Sequence, residues 1–386
     1  GVWAAAAAST HVLNPTPSLF TCGITTPPQT GRHDMARMLM KGNYAAVYGA
    51  AMAGCTAYYG YPITPASEIA ESAAALFPKL GRTFVQAESE VAAINMVYGA
   101  AGSGQRVMTG SSGPGISLKM EGVSYCAGAA LPCVIVDVMR GGPGLGNIGP
   151  EQGDYNQVVK GGGHGNYRSI VLAPSSCQEM CDYTMTAFEL ADRYRTPVFV
   201  LTDGVIGQMM ESVTIPEPVG KLPDKSGYAV FGSPLNKNLV NSIYLDHDDL
   251  EWWNKELLKK YAEIEENEVR FEEYRMEDAE IAVIGYGSVS RVLRTAVDMA
   301  REKGVKLGLF RPVTLFPFPS KAIGSLPDKG IKHVLTVELS TGQMVDDVNL
   351  ALLGKMKSDF HFRVGGNVPS AGEIVDKVSQ LYGEVK

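Results

Sequence analysis

Apolar and polar residues are arranged in blocks along this chain, and the period of each block predicts its element. Cys133–Met139 (CVIVDVM) is almost continuously apolar, as a strand buried on both faces must be. Gln86–Gly104 (QAESEVAAINMVYGAAGSG) reads as the end of a strand followed by a helix that Ser89 opens and Gly102 closes. After Glu90 nearly every residue of that helix is small or apolar, so it is packed around most of its circumference, in a core or an interface. Around it the pattern predicts helix Asn43–Cys55, a two-proline turn Gly60–Ser67 (GYPITPAS), strand Thr83–Ala87 and strand Arg106–Thr109. A glycine turn at Ser111–Gly115 then feeds a helix to about Ala127, and Ser169–Leu172, helix Cys177–Tyr194 and strand Val198–Leu201 complete the unit. Strands alternating with helices predict a mainly parallel α/β sheet.

Three prolines (Pro216, Pro218, Pro223) mark a break, and residues 216–276 read as a charged linker or helical arm. Its helix, Glu251–Glu273, starts with Trp252 and Trp253 and carries charges of both signs on a solvent-facing surface, as a connector or an arm against a partner does. A second α/β unit spans 277–386: strand IAVIGYG from Glu280, helix Arg291–Lys303, strand Lys306–Phe310, a turn RPVTLFPFP, strand Lys332–Glu338 and helix Gln343–Lys357. Two α/β domains, 35–215 and 277–386, are therefore expected. Residues 1–34 are rich in Ala, Thr and Pro, with one Arg and no Lys; they read as a disordered extension rather than a secretory or transit signal.

Charge and cysteines narrow the function. Lys and Arg total 34 against 41 Asp and Glu, a net charge of −7, which argues against a nucleic-acid partner. No apolar run approaches the ~18 residues of a membrane span, so no membrane partner is expected. The six cysteines include no CxxC pair, so a structural zinc site, an iron–sulfur cluster and a disulfide framework are not expected, no metal ligands are assigned, and a cytoplasmic setting follows.

Several residues are placed to do chemistry. Glu90 in a helix's first turn faces the positive end of the helix dipole, which favours the anion, while apolar neighbours disfavour it. Such a carboxyl group can exchange a proton with a ligand; it can also simply cap its helix. Thr64 sits between Pro62 and Pro65 in a rigid turn that can present one hydroxyl or merely satisfy local backbone. Ser111–Gly115, with Ser112 and Gly113 at its centre, forms a backbone nest before a helix, able to hold an anion or a polar ring edge; it is not a Walker A loop, and Lys119 falls in the wrong place for one. Arg140 ends the apolar strand, where ligands of α/β sheets gather, and can fork a carboxylate or pair with Asp137. His164 in the loop 151–168 is a weaker candidate for proton transfer or substrate contact, with Lys160, Tyr167 and Arg168 beside it. GYGS at Gly285–Ser288 is half a dinucleotide fingerprint and does not make an NAD site.

Taken in order, GYPITPAS, QAESEVAAINMVYGAA, TGSSGPGISLKMEG and VMRGGPGLG resemble the alpha subunit of the 2-oxoacid:ferredoxin oxidoreductases, from about Met35 to the C-terminus. KGGGHGNYR, LAPSSCQEM and DGVIGQMME look most like the branched-chain (3-methyl-2-oxobutanoate) type, with the 2-oxoglutarate or pyruvate type, or a non-catalytic scaffold subunit, as alternatives. The resemblance implies a pyrimidine-binding-type domain of thiamine diphosphate enzymes followed by a transketolase C-terminal-like domain. It implies oxidative decarboxylation to an acyl-CoA, with coenzyme A as co-substrate and electrons passed to ferredoxin. Glu90, rather than Glu88, takes the family's cofactor-activating carboxylate; Ser112 and Gly113 take cofactor contacts; Thr64 and Arg140 take the oxoacid and its carboxylate. The chain has no GDG followed by a downstream Asn and no cysteine cluster. Shared thiamine diphosphate, Mg2+ and iron–sulfur clusters would then involve a beta subunit carrying the diphosphate site and ferredoxin-like gamma and delta subunits.

Overall fold

The computed structural model describes residues 37–232 and 237–385, so the reading of 1–34 lies outside the described residues. Its first sheet has seven strands in the spatial order Thr314–Phe316, Ile170–Leu172, Pro197–Asp203, Cys133–Met139, Val107–Ser111, Ala57–Gly60 and Thr83–Gln86. All neighbours are parallel except the first pair. The central strands Cys133–Met139 and Pro197–Asp203 are buried at every residue, as their unbroken apolar patterns require. A second sheet orders Asp359–Phe362, His333–Glu338, Ile281–Ile284, Leu307–Pro312 and Phe271–Tyr274, the last antiparallel. The N-terminal strand Arg37–Lys41 pairs with Met210–Thr214 in a separate ribbon.

Helices cover both faces of the first sheet. Ser89 caps helix Glu90–Gly102 by accepting the Ala92 N–H at 3.1 Å, the bond its extended backbone is preset to make. That helix packs on Pro114–Gly128; a side chain on Gly122 would run into Ile94 at 2.5 Å, so glycine lets the two backbones close. Among the described residues, no helix is long and apolar enough to cross a membrane. The five described cysteines are buried and free.

Two elements differ from the sequence reading. The charged helix runs His247–Asn267 rather than to Glu273, and Phe271–Tyr274 is an edge strand of the second sheet. The helix exposes its charges, yet Leu257, Tyr261 and Ile264 are buried against the chain's own core and the Trp253 indole donates to the Gly128 carbonyl at 2.7 Å. The turn RPVTLFPFP contains the short strand Thr314–Phe316, which crosses back to the edge of the first sheet. Its flanking prolines, lacking N–H groups, suit an edge.

Further bonds join the two halves. Gln152 donates its backbone N–H to Leu339 at 2.7 Å, accepts the Leu339 N–H at 3.0 Å and donates its amide to Tyr286 at 3.1 Å. The Tyr155 hydroxyl and the Lys160 ammonium both reach Asp347. Arg311 of the second sheet forks Glu179 of helix Cys177–Tyr194. Met35–Lys386 accordingly forms one compact unit.

Candidate active site

The site is built where parallel strands end. Val107–Ser111 runs into Ser112 and Gly113, and the backbone then turns sharply into helix Pro114–Gly128. Gly113 has φ +40°, a conformation a side chain would strain. Its N–H points at Oδ2 of Asp154, 3.2 Å away. The hydroxyls of Ser111 and Ser112 are buried without a partner. Glu90 stands on the other side of the turn, 6% exposed. A side chain on Gly115 would come within 2.6 Å of its Oε1 and closer still to the Ser111 hydroxyl. Glycine therefore leaves a cradle between the carboxylate and the nest. The side-chain hydrogen bond that caps this helix comes from Ser89, and Glu90 is the acid of its first turn.

Arg140 closes strand Cys133–Met139 with a bridge to Pro150. Its guanidinium donates to the Thr64 carbonyl at 2.7 Å and to the Leu145 carbonyl at 3.3 Å, and its Nε is buried without a partner. It does not pair with Asp137, whose buried carboxyl group faces Asp154 and the Gly113 backbone instead. Arg140, Gly113, Pro114, Leu118 and the Gly141–Gly144 loop line one wall of a cleft of about 1010 Å³; Ser340, Gln343, Val364 and Gly365 of the second half line the other. Thr64 is exposed at the edge of this arrangement, tied to it through its backbone carbonyl, and Glu90 lies behind the nest.

The structure thus ties Arg140 to the Thr64 carbonyl and sets it beside Gly113, with Glu90 beside Gly115 and Ser111 on the other side of the turn. It does not bring His164 there. That side chain is exposed against Tyr125, and its carbonyl accepts Ser124 Oγ at 2.5 Å, some ten residues or ~15 Å along the helix from the nest. Lys160 is engaged by Asp347 instead.

Three features escaped the sequence reading. Burial, and then the neighbouring Asp154, push the Asp137 carboxyl far above the usual range. Burial pushes Asp154 up to about 6 against the opposing Gly113 N–H. Two carboxyl groups in such surroundings share a proton rather than ionise together. Lys119 is fully buried, and burial pushes its ammonium down to about 8, opposed by Glu90. The signals were present: an acid inside an apolar strand, and a lysine at i+3 from Ile116 and i−4 from Val123 on a buried stripe.

The residues fit a cofactor whose polar ring needs a buried carboxylate on one side and donors on the other: Glu90 with the glycine cradle, the Ser111 and Ser112 hydroxyls, and the Gly113 backbone. Residues 48–232 match the thiamine-diphosphate-binding domain of the pyruvate flavodoxin/ferredoxin oxidoreductases, and 279–374 match core domain II of pyruvate:ferredoxin oxidoreductase. The chain belongs to the 2-oxoacid:ferredoxin oxidoreductases. Ketoisovalerate oxidoreductase subunit VorB of Methanothermobacter thermautotrophicus is 59% identical over 351 residues, covering 91% of this chain and 99% of the relative. The 2-oxoglutarate synthase subunit KorA of the same organism is 37% identical, covering 89% and 98%. Among solved structures, the 2-oxoglutarate:ferredoxin oxidoreductase of Magnetococcus marinus superposes with a TM-score of 0.80 at 26% identity, over 89% of this oxidoreductase chain; the chain spans 65% of that protein's length. A split-gene transketolase, at TM-score 0.51 and 12% identity over 88% of this chain and 96% of its own, shares the fold, as expected of a pyrimidine-binding-type domain followed by a transketolase C-terminal-like one.

Proposed function

We propose that this chain is the subunit of a branched-chain 2-oxoacid:ferredoxin oxidoreductase that binds the pyrimidine side of thiamine diphosphate and the substrate carboxylate. The reaction is oxidative decarboxylation of 3-methyl-2-oxobutanoate to an acyl-CoA and CO2, with electrons passed to ferredoxin. Thiamine diphosphate, when bound, supplies the carbon nucleophile and electron sink. Glu90 holds a proton at the ring nitrogen across the cradle, and Ser112 and the Gly113 backbone fix the ring edge. Arg140, already anchored by the Thr64 and Leu145 carbonyls, keeps donor capacity for the substrate carboxylate. Thr64 presents its hydroxyl to the substrate oxygens. A beta subunit supplies Mg2+ and the diphosphate site, gamma and delta subunits supply iron–sulfur clusters, and coenzyme A takes the acyl group.

The observation that carries the substrate class is the cleft lining. Arg140 is the sole basic residue among the described lining residues, Glu151 and Asp154 would repel a second carboxylate, and Leu118, Pro143 and Val364 offer apolar surface. A 2-oxo acid with an alkyl chain fits this wall; 2-oxoglutarate does not. The greater identity to the ketoisovalerate relatives supports the same reading. The test is anaerobic ferredoxin reduction by the complex reassembled with its partner subunits. We expect kcat/KM for 3-methyl-2-oxobutanoate to exceed that for 2-oxoglutarate and pyruvate at least tenfold. A preference for 2-oxoglutarate overturns the assignment.

A further inference from the structure

The loop that follows Arg140, residues 141–149 (GGPGLGNIG), is rich in glycine. Glycine loses more conformational freedom on ordering than any other residue, so such a loop keeps one shape only where bonds hold it. Asn147 supplies them from both its backbone and its side chain. Its N–H donates to the Gly141 carbonyl at 3.0 Å, and its Oδ1 accepts the Gly149 N–H at 2.9 Å. Gly141 and Gly149 are themselves joined, N–H to carbonyl, at 2.9 Å. The Asn147 Nδ2 donates to the Gly365 carbonyl at 3.1 Å, across 218 residues, and so ties the loop to the opposite wall of the cleft.

The glycines are placed to receive that amide. A side chain on Gly141 would come within 2.5 Å of the Asn147 Oδ1, and one on Gly149 within 3.1 Å of it. The Gly149 side chain would also come within 2.6 Å of the Gly366 Cα. Gly146, at φ +58°, would drive a side chain into the Gly141 carbonyl. Loop and second half therefore meet backbone to backbone here, and Asn147 fastens the contact.

The loop carries the Leu145 carbonyl, two residues before Asn147, which accepts from the Arg140 guanidinium at 3.3 Å. The other anchor, the Thr64 carbonyl at 2.7 Å, comes from a different segment, so the plane of the guanidinium is fixed only while both are in place. A fork that meets a carboxylate with two parallel bonds depends on that plane. Glu151 pins the near end of the loop by accepting the Gly142 N–H at 2.9 Å; the Leu145 end depends on Asn147.

We propose that Asn147 is a positioning residue for Arg140: by closing the glycine loop and tying it to Gly365, it holds the Leu145 carbonyl on the guanidinium and sets the plane in which Arg140 meets the substrate carboxylate. The inference rests on the proposed role of Arg140. It places part of the substrate affinity in the second half of the chain, through a side chain whose bonds go to backbone.

The test is calorimetric binding of 3-methyl-2-oxobutanoate to the assembled complex after thiamine diphosphate has been stripped, with steady-state kinetics of the loaded complex beside it. Asn147→Ala should weaken binding about tenfold, the size of one hydrogen bond to a charged group. KM should rise by the same factor while kcat stays within about twofold, the mark of lost uniform binding. Tm should stay within about 2 °C, as for a surface substitution. In an Arg140→Ala background the same substitution should add nothing, because the group it positions is gone. Asn147→Asp keeps the acceptor for Gly149 but sets a carboxylate against the Gly365 carbonyl; it should show most of the same loss, and it carries the test if Asn147→Ala does not assemble. Wild-type binding in Asn147→Asp would overturn the role of the bond to Gly365. Unchanged binding in Asn147→Ala, or an equal loss with and without Arg140, would overturn the role of Asn147 and leave that of Arg140 intact, provided Arg140→Ala itself weakens binding. If Arg140→Ala binds the oxoacid normally, both readings fall.

Discussion

Two acids buried near the C-terminal ends of central strands, one in each sheet, have opposite surroundings. Glu338 ends strand His333–Glu338, and its carboxylate accepts the N–H groups of Gln343, Met344 and Val345 at 3.2, 3.0 and 2.8 Å and the Ser340 hydroxyl at 2.9 Å. It is a fully used cap for helix Met344–Leu352. Asp137, equally buried, has a second acid in front of it and only the Gly113 backbone acting as an opposing donor. Burial drives both upward, but at Glu338 three backbone donors and the Ser340 hydroxyl pull back, whereas at Asp137 the Asp154 charge adds to the effect and the Gly113 backbone alone opposes it. The first sheet thus keeps polar capacity unspent at its cleft wall, in Asp137, the Ser111 and Ser112 hydroxyls and Arg140 Nε. The second sheet has spent its acid on holding the opposite wall in shape.

This contrast can be broken at three points. Glu338→Ala should have the largest effect on folding, because it strands three buried N–H groups at roughly 1–3 kcal/mol each. A loss of about 4 kcal/mol or failure to assemble is expected in a denaturant titration; a loss below 1 kcal/mol would show that Glu338 is not a structural cap. Arg140→Ala should do the reverse, raising KM for the oxoacid about a hundredfold, or about 3 kcal/mol, while Tm stays within a degree or two. An unchanged KM in steady-state assays would remove Arg140 from the site. Asp154→Asn should have the smallest effect and the opposite sign. The folded chain holds a proton up to about pH 6 that the unfolded chain has released above about 4, so wild-type stability falls as pH rises through that window. The variant should lose the Asp154 share of this fall, Asp137 keeping its own, and be about 1–2 kcal/mol more stable at pH 7, as urea titrations at pH 4 and 7 would show. A variant no more stable than wild type at pH 7 would mean that the pair shares no proton.

What the sequence disclosed was local. Ser89 and Glu90 could be read because a cap and a first turn are written in adjacent residues. The nest could be read because positive φ demands glycine at one position, Gly113. Arg140 could be read from its place at the end of an apolar run, but its partners could not. The alternative partner Asp137 is adjacent in sequence, and the actual ones are the carbonyls of Thr64 and Leu145. Asp154 meets Gly113 across 41 residues, and the second cleft wall arrives from beyond residue 340, separations that no periodicity encodes. His164 misled for the same reason: a histidine among glycines looks available, and only the fold shows that its loop folds over Ser124 and Tyr125. The overrun of the charged helix came from composition. Its charges continue past Asn267, while the strand FEEY betrays itself only by two-residue alternation over four positions.

The strand Thr314–Phe316 has a mechanical consequence. Because the second half lends this strand to the edge of the first sheet, and Gln152 clasps Leu339 and Tyr286 on the way, the walls of the cleft are riveted at several points. The aperture of the cleft, whose rim includes the Gly141–Gly144 loop, is then set by the frame.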